Sequence, residues 1–295
     1  MTNKIFILLL IVILFACGED EKKQANSNYK NLNVTILLDL SDRISISKNP
    51  DQAEKDINII SSVVDNFKLF LTKKGVVNSD DKLKIIFYPT INYDIYQSIA
   101  DSLNIDFSNY NFSDRKKLYN SLSNKFKNNL TRLYSIASKA KLYEGADIFN
   151  YFKHRIIDDC ILSDSNYINV LVILTDGYIY HKNSKYELNN RFSYIIPESY
   201  QIKRFRNNVN WEDDFNKNDF GLLKLDNNLS KLNILVAEVS PLSNSPKDYD
   251  IIYKYLSKWF EEQNVAKNNY KIIKSDLTSI NKNIVNNFFG KITSR

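Results

Sequence analysis

Two aspartates stand where the hydrophobic pattern predicts the ends of buried strands. One closes the run Leu37-Leu38-Asp39-Leu40-Ser41-Asp42-Arg43, and the other closes Ile173-Leu174-Thr175-Asp176-Gly177. In an open parallel sheet the carboxyl ends of neighbouring strands face one crevice, and ligands bind there. Asp39 and Ser41 are two residues apart, so a locally extended chain sends both side chains to the same side. Two carboxylates converging on such a crevice repel each other unless a cation or strong donors intervene. Hard oxygen donors of this kind suit Mg²⁺ or another divalent cation. Arg43 offers an internal alternative, because its planar guanidinium can bridge Asp39 and Asp176 as a metal otherwise would. Either a cation held by Asp39, Ser41 and Asp176 or this arginine neutralises the pair.

Other chemistries lack their residues. The six glycines never lie closer than 32 positions, which excludes dinucleotide and Walker-type phosphate loops. Two histidines, His154 and His181, exclude H-E-x-x-H and poly-His metal sites, and two cysteines exclude zinc ribbons and a disulfide scaffold. No G-x-S-x-G elbow accompanies His181, so a Ser-His-Asp hydrolase has no nucleophile. His154 reads as a surface or satisfied side chain, and Cys160 as a small buried hydrophobe. A net charge of +6 over 295 residues is too dilute to argue for nucleic acid. The basic run Lys203-Arg204-Phe205-Arg206 reads as a solvated loop.

The elements that must position the aspartates alternate between strand and helix. Asn33–Leu38 is a continuous apolar run, as in a strand buried on both faces of a parallel sheet. A helix follows, with Asn49 as cap, Pro50 at its first position and Gly75 past its end. Lys82–Tyr88 reads as a second strand, residues ~113 to ~142 as a long helix, and about Asp147 to Leu162 as another. Tyr167–Leu174 and Leu232–Val239 are strong strands; a helix around Trp259 (a core residue), a strand Tyr270–Ile273 and a helix from about Ser279 to Phe289 close the chain. The class is α/β: a Rossmann-like, doubly wound, mainly parallel sheet with helices on both faces. Residues Tyr178–Ser230 lack periodicity and read as a long insertion after the fourth strand, a functional loop whose removal spares stability. The insertion starts at the Asp176 turn, so its Tyr178, His181, Arg204, Arg206 and Trp211 are candidate partner contacts, together with Asp42 and Asp147 outside it.

The first residues carry a separate signal. Lys4 precedes the apolar run Ile5–Ala16, which is too short to span a bilayer but suits a secretory signal. Leu14-Phe15-Ala16-Cys17 resembles the lipobox of bacterial lipoproteins. That resemblance implies cleavage after residue 16, lipidation at Cys17, a polar tether over 17–30, and a domain over 31–295. The acidic Glu19-Asp20-Glu21 resembles the export signals of lipoproteins in the Bacteroidota, which implies a cell-envelope protein anchored at the outer membrane.

The two strand ends together resemble the von Willebrand factor A-type domain, whose metal-ion-dependent adhesion site begins D-x-S-x-S and ends in a T-D-G-like turn. Asp39 and Ser41 match the first motif, Thr175-Asp176-Gly177 matches the second, and Glu144-Gly145-Ala146-Asp147-Ile148 resembles the G-G-T-[DN]-I stretch between them. The sequence departs from the family at Arg43 and Ala146, which replace a serine and a threonine that bind the metal. The resemblance implies a non-catalytic module that binds a protein partner at the Asp39/Asp176 face through a degenerate site. Haloacid-dehalogenase-like phosphatases offer the alternative, with Asp39 as nucleophile and Thr175 in the later position, but Ser41 stands where that family has its second aspartate.

Overall fold

Strand β1 (Asn31–Leu38) is buried from Leu32 onward, because Leu32, Val34, Ile36 and Leu38 face one helical layer while Leu37 faces the other. The structure is a computed structural model that describes residues 29–89, 94–143, 145–242 and 245–294. The signal segment, Cys17, most of the tether, and Glu144 of the Gly145–Asp147 loop lie outside the described residues. No helix among those described is long and apolar enough to cross a membrane.

After β1 come α1 (Gln52–Lys74), β2 (Lys82–Ile86), α2 (Asp94–Ser102), β3 (Ile105–Asp106), α3 (Phe112–Ala137), α4 (Ile148–His154), α5 (Ile156–Cys160) and β4 (Tyr167–Leu174). Then follow β5 (Glu187–Leu188), β6 (Arg191–Phe192), α6 (Tyr200–Arg206), α7 (Trp211–Lys217), β7 (Gly221–Leu222), β8 (Leu232–Val239), α8 (Asp248–Glu262), β9 (Tyr270–Lys274) and α9 (Thr278–Thr293). The main sheet has the order β3-β2-β1-β4-β8-β9, and only β3 runs antiparallel. Counted along the main sheet this is 3-2-1-4-5-6, the doubly wound order, whose reversal falls between β1 and β4. The strands carrying Asp39 and Asp176 are therefore direct neighbours, in register from Asn31↔Tyr167 to Leu38↔Leu174.

One face of the sheet is covered by α1, α2, α3 and α9, the other by α4, α5 and α8. Helix α1 contributes Ile59, Ile60, Val63, Val64, Phe67, Phe70 and Leu71 to the core, each worth ~1.5–3 kcal/mol if fully buried. Its start differs from expectation. Pro50 stays outside the helix, and the Asn49 amide donates to the carbonyl of Arg43 at 2.9 Å instead of capping α1. The stretch expected as one helix from Asp147 to Leu162 breaks at Arg155 into α4 and α5. Trp259 is core, stacked near Phe149 and Phe152.

Residues 178–230 are not a bare loop. They fold into a small sheet, β5-β6-β7, with α6 and α7, around Phe205, Phe215 and Phe220. Phe205 lies 5.0 Å from Phe220 edge-on, and Phe215 lies 4.9 Å from Tyr255 of α8. Arg191 pairs with Asp219 inside the unit and ties it to the sheet-covering layer by reaching Glu262 at 2.7 Å. Elements of two to seven residues are shorter than the window over which hydrophobic periodicity is legible. Because this aromatic core continues into α8, removing the segment uncovers apolar surface rather than sparing stability. Phe215→Ala should lower stability by about 3–5 kcal/mol in urea unfolding, and deletion of 178–230 should abolish cooperative melting. An unchanged midpoint in either variant would return the segment to the status of a spacer.

Candidate functional site

Asp39 follows β1 directly, and its N–H donates to the carbonyl of Leu174 at 3.0 Å, which holds the two strand ends level. Its carboxylate is enclosed. Oδ1 accepts the Ser41 N–H at 2.9 Å and Oδ2 accepts the Thr175 hydroxyl at 2.9 Å, with the residue 2% exposed. Thr175 in turn accepts the Gly177 N–H at 3.2 Å. Gly177 sits at φ +94°, where a Cβ would stand 2.7 Å from Ile252, so only glycine makes this turn against α8. The turn aims Asp176 at the crevice. Its Oδ1 accepts the Tyr178 N–H at 3.0 Å, and it remains half-buried. Burial pushes the Asp176 carboxyl up to about 7, helped by the nearby Asp39 charge and opposed by Arg43.

Arg43 does not bridge the two aspartates. It lies on the 3₁₀ turn Asp42–Ile44 and its fork turns to Asp56 of α1, with contacts of 2.9, 3.0 and 3.0 Å. Both side chains are almost fully buried. Only Nε faces Asp39, at 4.0 Å and without a hydrogen-bond partner. Asp56 also accepts the Tyr134 hydroxyl at 2.6 Å and the Gln52 amide at 2.9 Å. Burial still raises its carboxyl above the ordinary range, against the pull of Arg43. The fork meets both oxygens of Asp56 in bidentate geometry, whereas Asp39 turns its two oxygens to the Ser41 N–H and the Thr175 hydroxyl.

Gln52 reaches onward to Glu238 of β8 at 3.4 Å, and Glu238 also accepts Ser275 at 2.7 Å and the Asn281 amide at 3.0 Å. Asp56, Tyr134, Gln52 and Glu238 escaped the reading of the sequence. One signal was present for Asp56, which falls on the same stripe of α1 as Ile60, Val63 and Phe67, where a carboxylate needs a partner.

The other candidates divide. Ser41 is half-buried beside Asp39, and Asp42 is exposed and pairs with Lys48. Arg204 is exposed and forks onto Asp214, while Arg206 pairs with Asp248 at 2.8 Å. Asp147, Tyr178, His181 and Trp211 are all buried, which removes them as surface contacts. Asp147 caps α4 by accepting the Asn150 N–H at 3.1 Å and also accepts the Ser184 hydroxyl. His181 Nδ1 lies 3.3 Å from Asp147, so the pair clasps the Gly145–Asp147 loop to the start of the 178–230 segment. Tyr178 accepts the Leu242 N–H through its hydroxyl at 3.2 Å, and Trp211 packs on Phe205.

The residues fit a divalent cation poorly. Both Asp39 oxygens accept hydrogen bonds, Arg43 Nε already brings a positive charge to 4.0 Å from Oδ2, and Ala146 has no polar side-chain atom. Among the described residues no group of three or more His, Cys, Asp or Glu is placed to hold a metal. No known protein family, curated protein or solved structure matches this chain.

Removing one member of a buried pair strands the other. Arg43→Met should cost about 3–5 kcal/mol, and Arg43→Met with Asp56→Leu should recover most of it in a double-mutant cycle by urea unfolding. A single variant as stable as the wild type would disprove the pairing. Asp176 gives a second expectation. Its native carboxyl holds a proton to about pH 7, whereas in the unfolded chain it ionises near the usual 3.8. Between those values the native state binds more protons, so stability falls as pH rises through the window and is level above it. Asp176→Asn should therefore melt several degrees higher than wild type at pH 8, with the gap closing by pH 4. A gap independent of pH would place the effect elsewhere.

Proposed function

We propose that this chain is a lipid-anchored, extracytoplasmic module, similar to the von Willebrand A-type domain, that binds a protein partner at the carboxyl-end crest of its sheet. The observation that carries the reading is the composition of that crest. Asp176 is half-buried at its centre, and its second oxygen has no partner among the described residues. Around it the loops that meet at this end carry Ile46, Leu142, Tyr180 and Leu242, all exposed. Backbone contacts bring the loops to the same end, since Ile46 N–H reaches Ser138 and Asp147 N–H reaches Tyr88. An apolar rim contributed by separate loops is the kind of exposed surface that marks a protein contact.

The main-sheet order and the adjacency of the two aspartate-bearing strands support the family reading, and the lipobox-like Cys17 supports anchorage in the cell envelope. In this reading no divalent cation mediates binding, because both Asp39 oxygens accept hydrogen bonds and Arg43 Nε stands 4.0 Å from Oδ2. The phosphatase alternative requires Asp39 to attack a phosphorus atom, and a carboxylate with both oxygens engaged and 2% exposure is a poor nucleophile.

The test places a photo-crosslinking amino acid at Leu142 of the full chain in its native membrane. One adduct of discrete mass should form, disappear with Asp176→Arg, and persist in a Mg²⁺ chelator. Loss of the adduct in chelator would replace the reading with a metal-bridged contact, and an adduct indifferent to Asp176→Arg would remove the crest from the interface.

A further inference from the structure

The outer edge of β2 is only half covered. Its neighbour β3 pairs at Lys82↔Asp106 and Leu83↔Ile105, and Phe107 N–H donates to the Asp81 carbonyl at 3.0 Å. Residues 81 and 83 therefore turn their main-chain groups outward, and strand alternation gives Ile85 and Phe87 the same direction. Among the described residues the cover ends beyond Leu83. Leu103 folds back into the end of α2 by donating to Ile99 and Ala100. Among the described residues no backbone group pairs with the outward N–H and C=O of Ile85 or Phe87.

A cavity of about 560 Å³ lies at this edge. Its walls come from both layers of the domain. Gln97 and Asp101 of α2 stand on one side, while Lys84, Tyr151, Arg155 and Asp159 stand on the other with α4 and α5. Ile85, Phe87 and Ile99 pack in the core cluster of the first layer, and Ile86, Tyr88 and Tyr151 in that of the second. A cavity walled from both layers of a sheet that separates them lies off the sheet's edge, in the place of the next strand.

The charges on its walls are unlike. On the α4–α5 wall Arg155 pairs with Asp159 at 3.0 Å, and Lys84, with no carboxylate partner among the described residues, leaves that wall one positive charge in excess. The opposite wall carries Asp101, held by the Gln97 amide at 2.8 Å. A strand sends alternate side chains to opposite faces, so it can answer a positive wall with one set and a negative wall with the other. A second copy of this chain answers less well. Antiparallel pairing of two β2 edges across a two-fold keeps like faces together, so Lys84 and Arg155 would meet their own counterparts.

We propose that the open edge of β2 receives an extended segment of a partner protein, which adds as a strand beside Ile85–Tyr88 and directs an acidic side chain to Lys84 and Arg155. Main-chain pairing supplies affinity in such a contact, and the alternate side chains supply specificity. This site lies on the β2 edge rather than on the crest loops and does not depend on the crest reading.

The test selects a phage-displayed library of random nonapeptides against the full chain and carries the enriched peptides forward as synthetic probes. Enriched peptides should carry acidic residues at alternate positions and lose at least tenfold in affinity on Lys84→Glu and on Arg155→Glu. Arg155 is exposed, so its variant keeps the test informative if Lys84→Glu fails to fold. Peptide binding should slow hydrogen exchange at the Ile85 and Phe87 amides. No enrichment, binding indifferent to both charge reversals, or unchanged exchange at those amides would each overturn the proposal. A concentration-dependent dimer that protects the same amides would overturn it too, and assign the edge to a second copy.

Discussion

The buried pair between Arg43 and Asp56 is the constraint on which the crest depends. It fastens the loop after β1 to the first turns of α1, and so fixes the direction in which the chain leaves the strand that carries Asp39. The Asn49 amide closes the same loop onto the Arg43 carbonyl. Two charges withdrawn from water are costly singly and tolerable only together, so loop and helix are placed as a unit.

Around that pair the charge is unbalanced. Asp39, Asp56, Asp176 and Glu238 gather at the carboxyl ends of three adjacent strands and on α1, with one buried guanidinium among them. The remainder is held by neutral donors: Thr175 on Asp39, Tyr134 and Gln52 on Asp56, Ser275 and Asn281 on Glu238. Glu238 accepts a φ of +68° beside the β8–β9 irregularity to take its place. Oriented dipoles stabilise buried charge without a counter-ion, at the cost of a rigid surround. The half-open Asp176 is the one acid of the four in contact with solvent.

Much of the frame was legible. The runs ending at Leu38, Leu174 and Val239 are buried on both faces, and a long apolar β-branched run has few other readings. The aspartates at the first two ends followed from the same pattern. The partners of Arg43 did not, because a guanidinium's choice between Asp39 and Asp56 depends on which carboxylate the folded backbone leaves free. Short α2 and β3, and the whole 178–230 unit, were invisible to periodicity, and burial of Trp211 and His181 depends on contacts with helices distant in sequence. Residue type marked those side chains as capable of contact. Only packing decides which face they turn.

The aromatic core shared between the 178–230 unit and α8 has a consequence for the order in which the chain is made. Phe205, Phe215 and Phe220 leave the ribosome before Tyr255 and Trp259, and β4 before its neighbour β8. Four of the six main-sheet strands are therefore synthesised while the second layer lacks the helix that closes it. Contacts between segments so far apart in sequence form late and slowly. During that interval the chain carries a cluster of phenylalanines without the Asp248–Glu262 helix that covers it, a surface of the kind that associates unless it is buried.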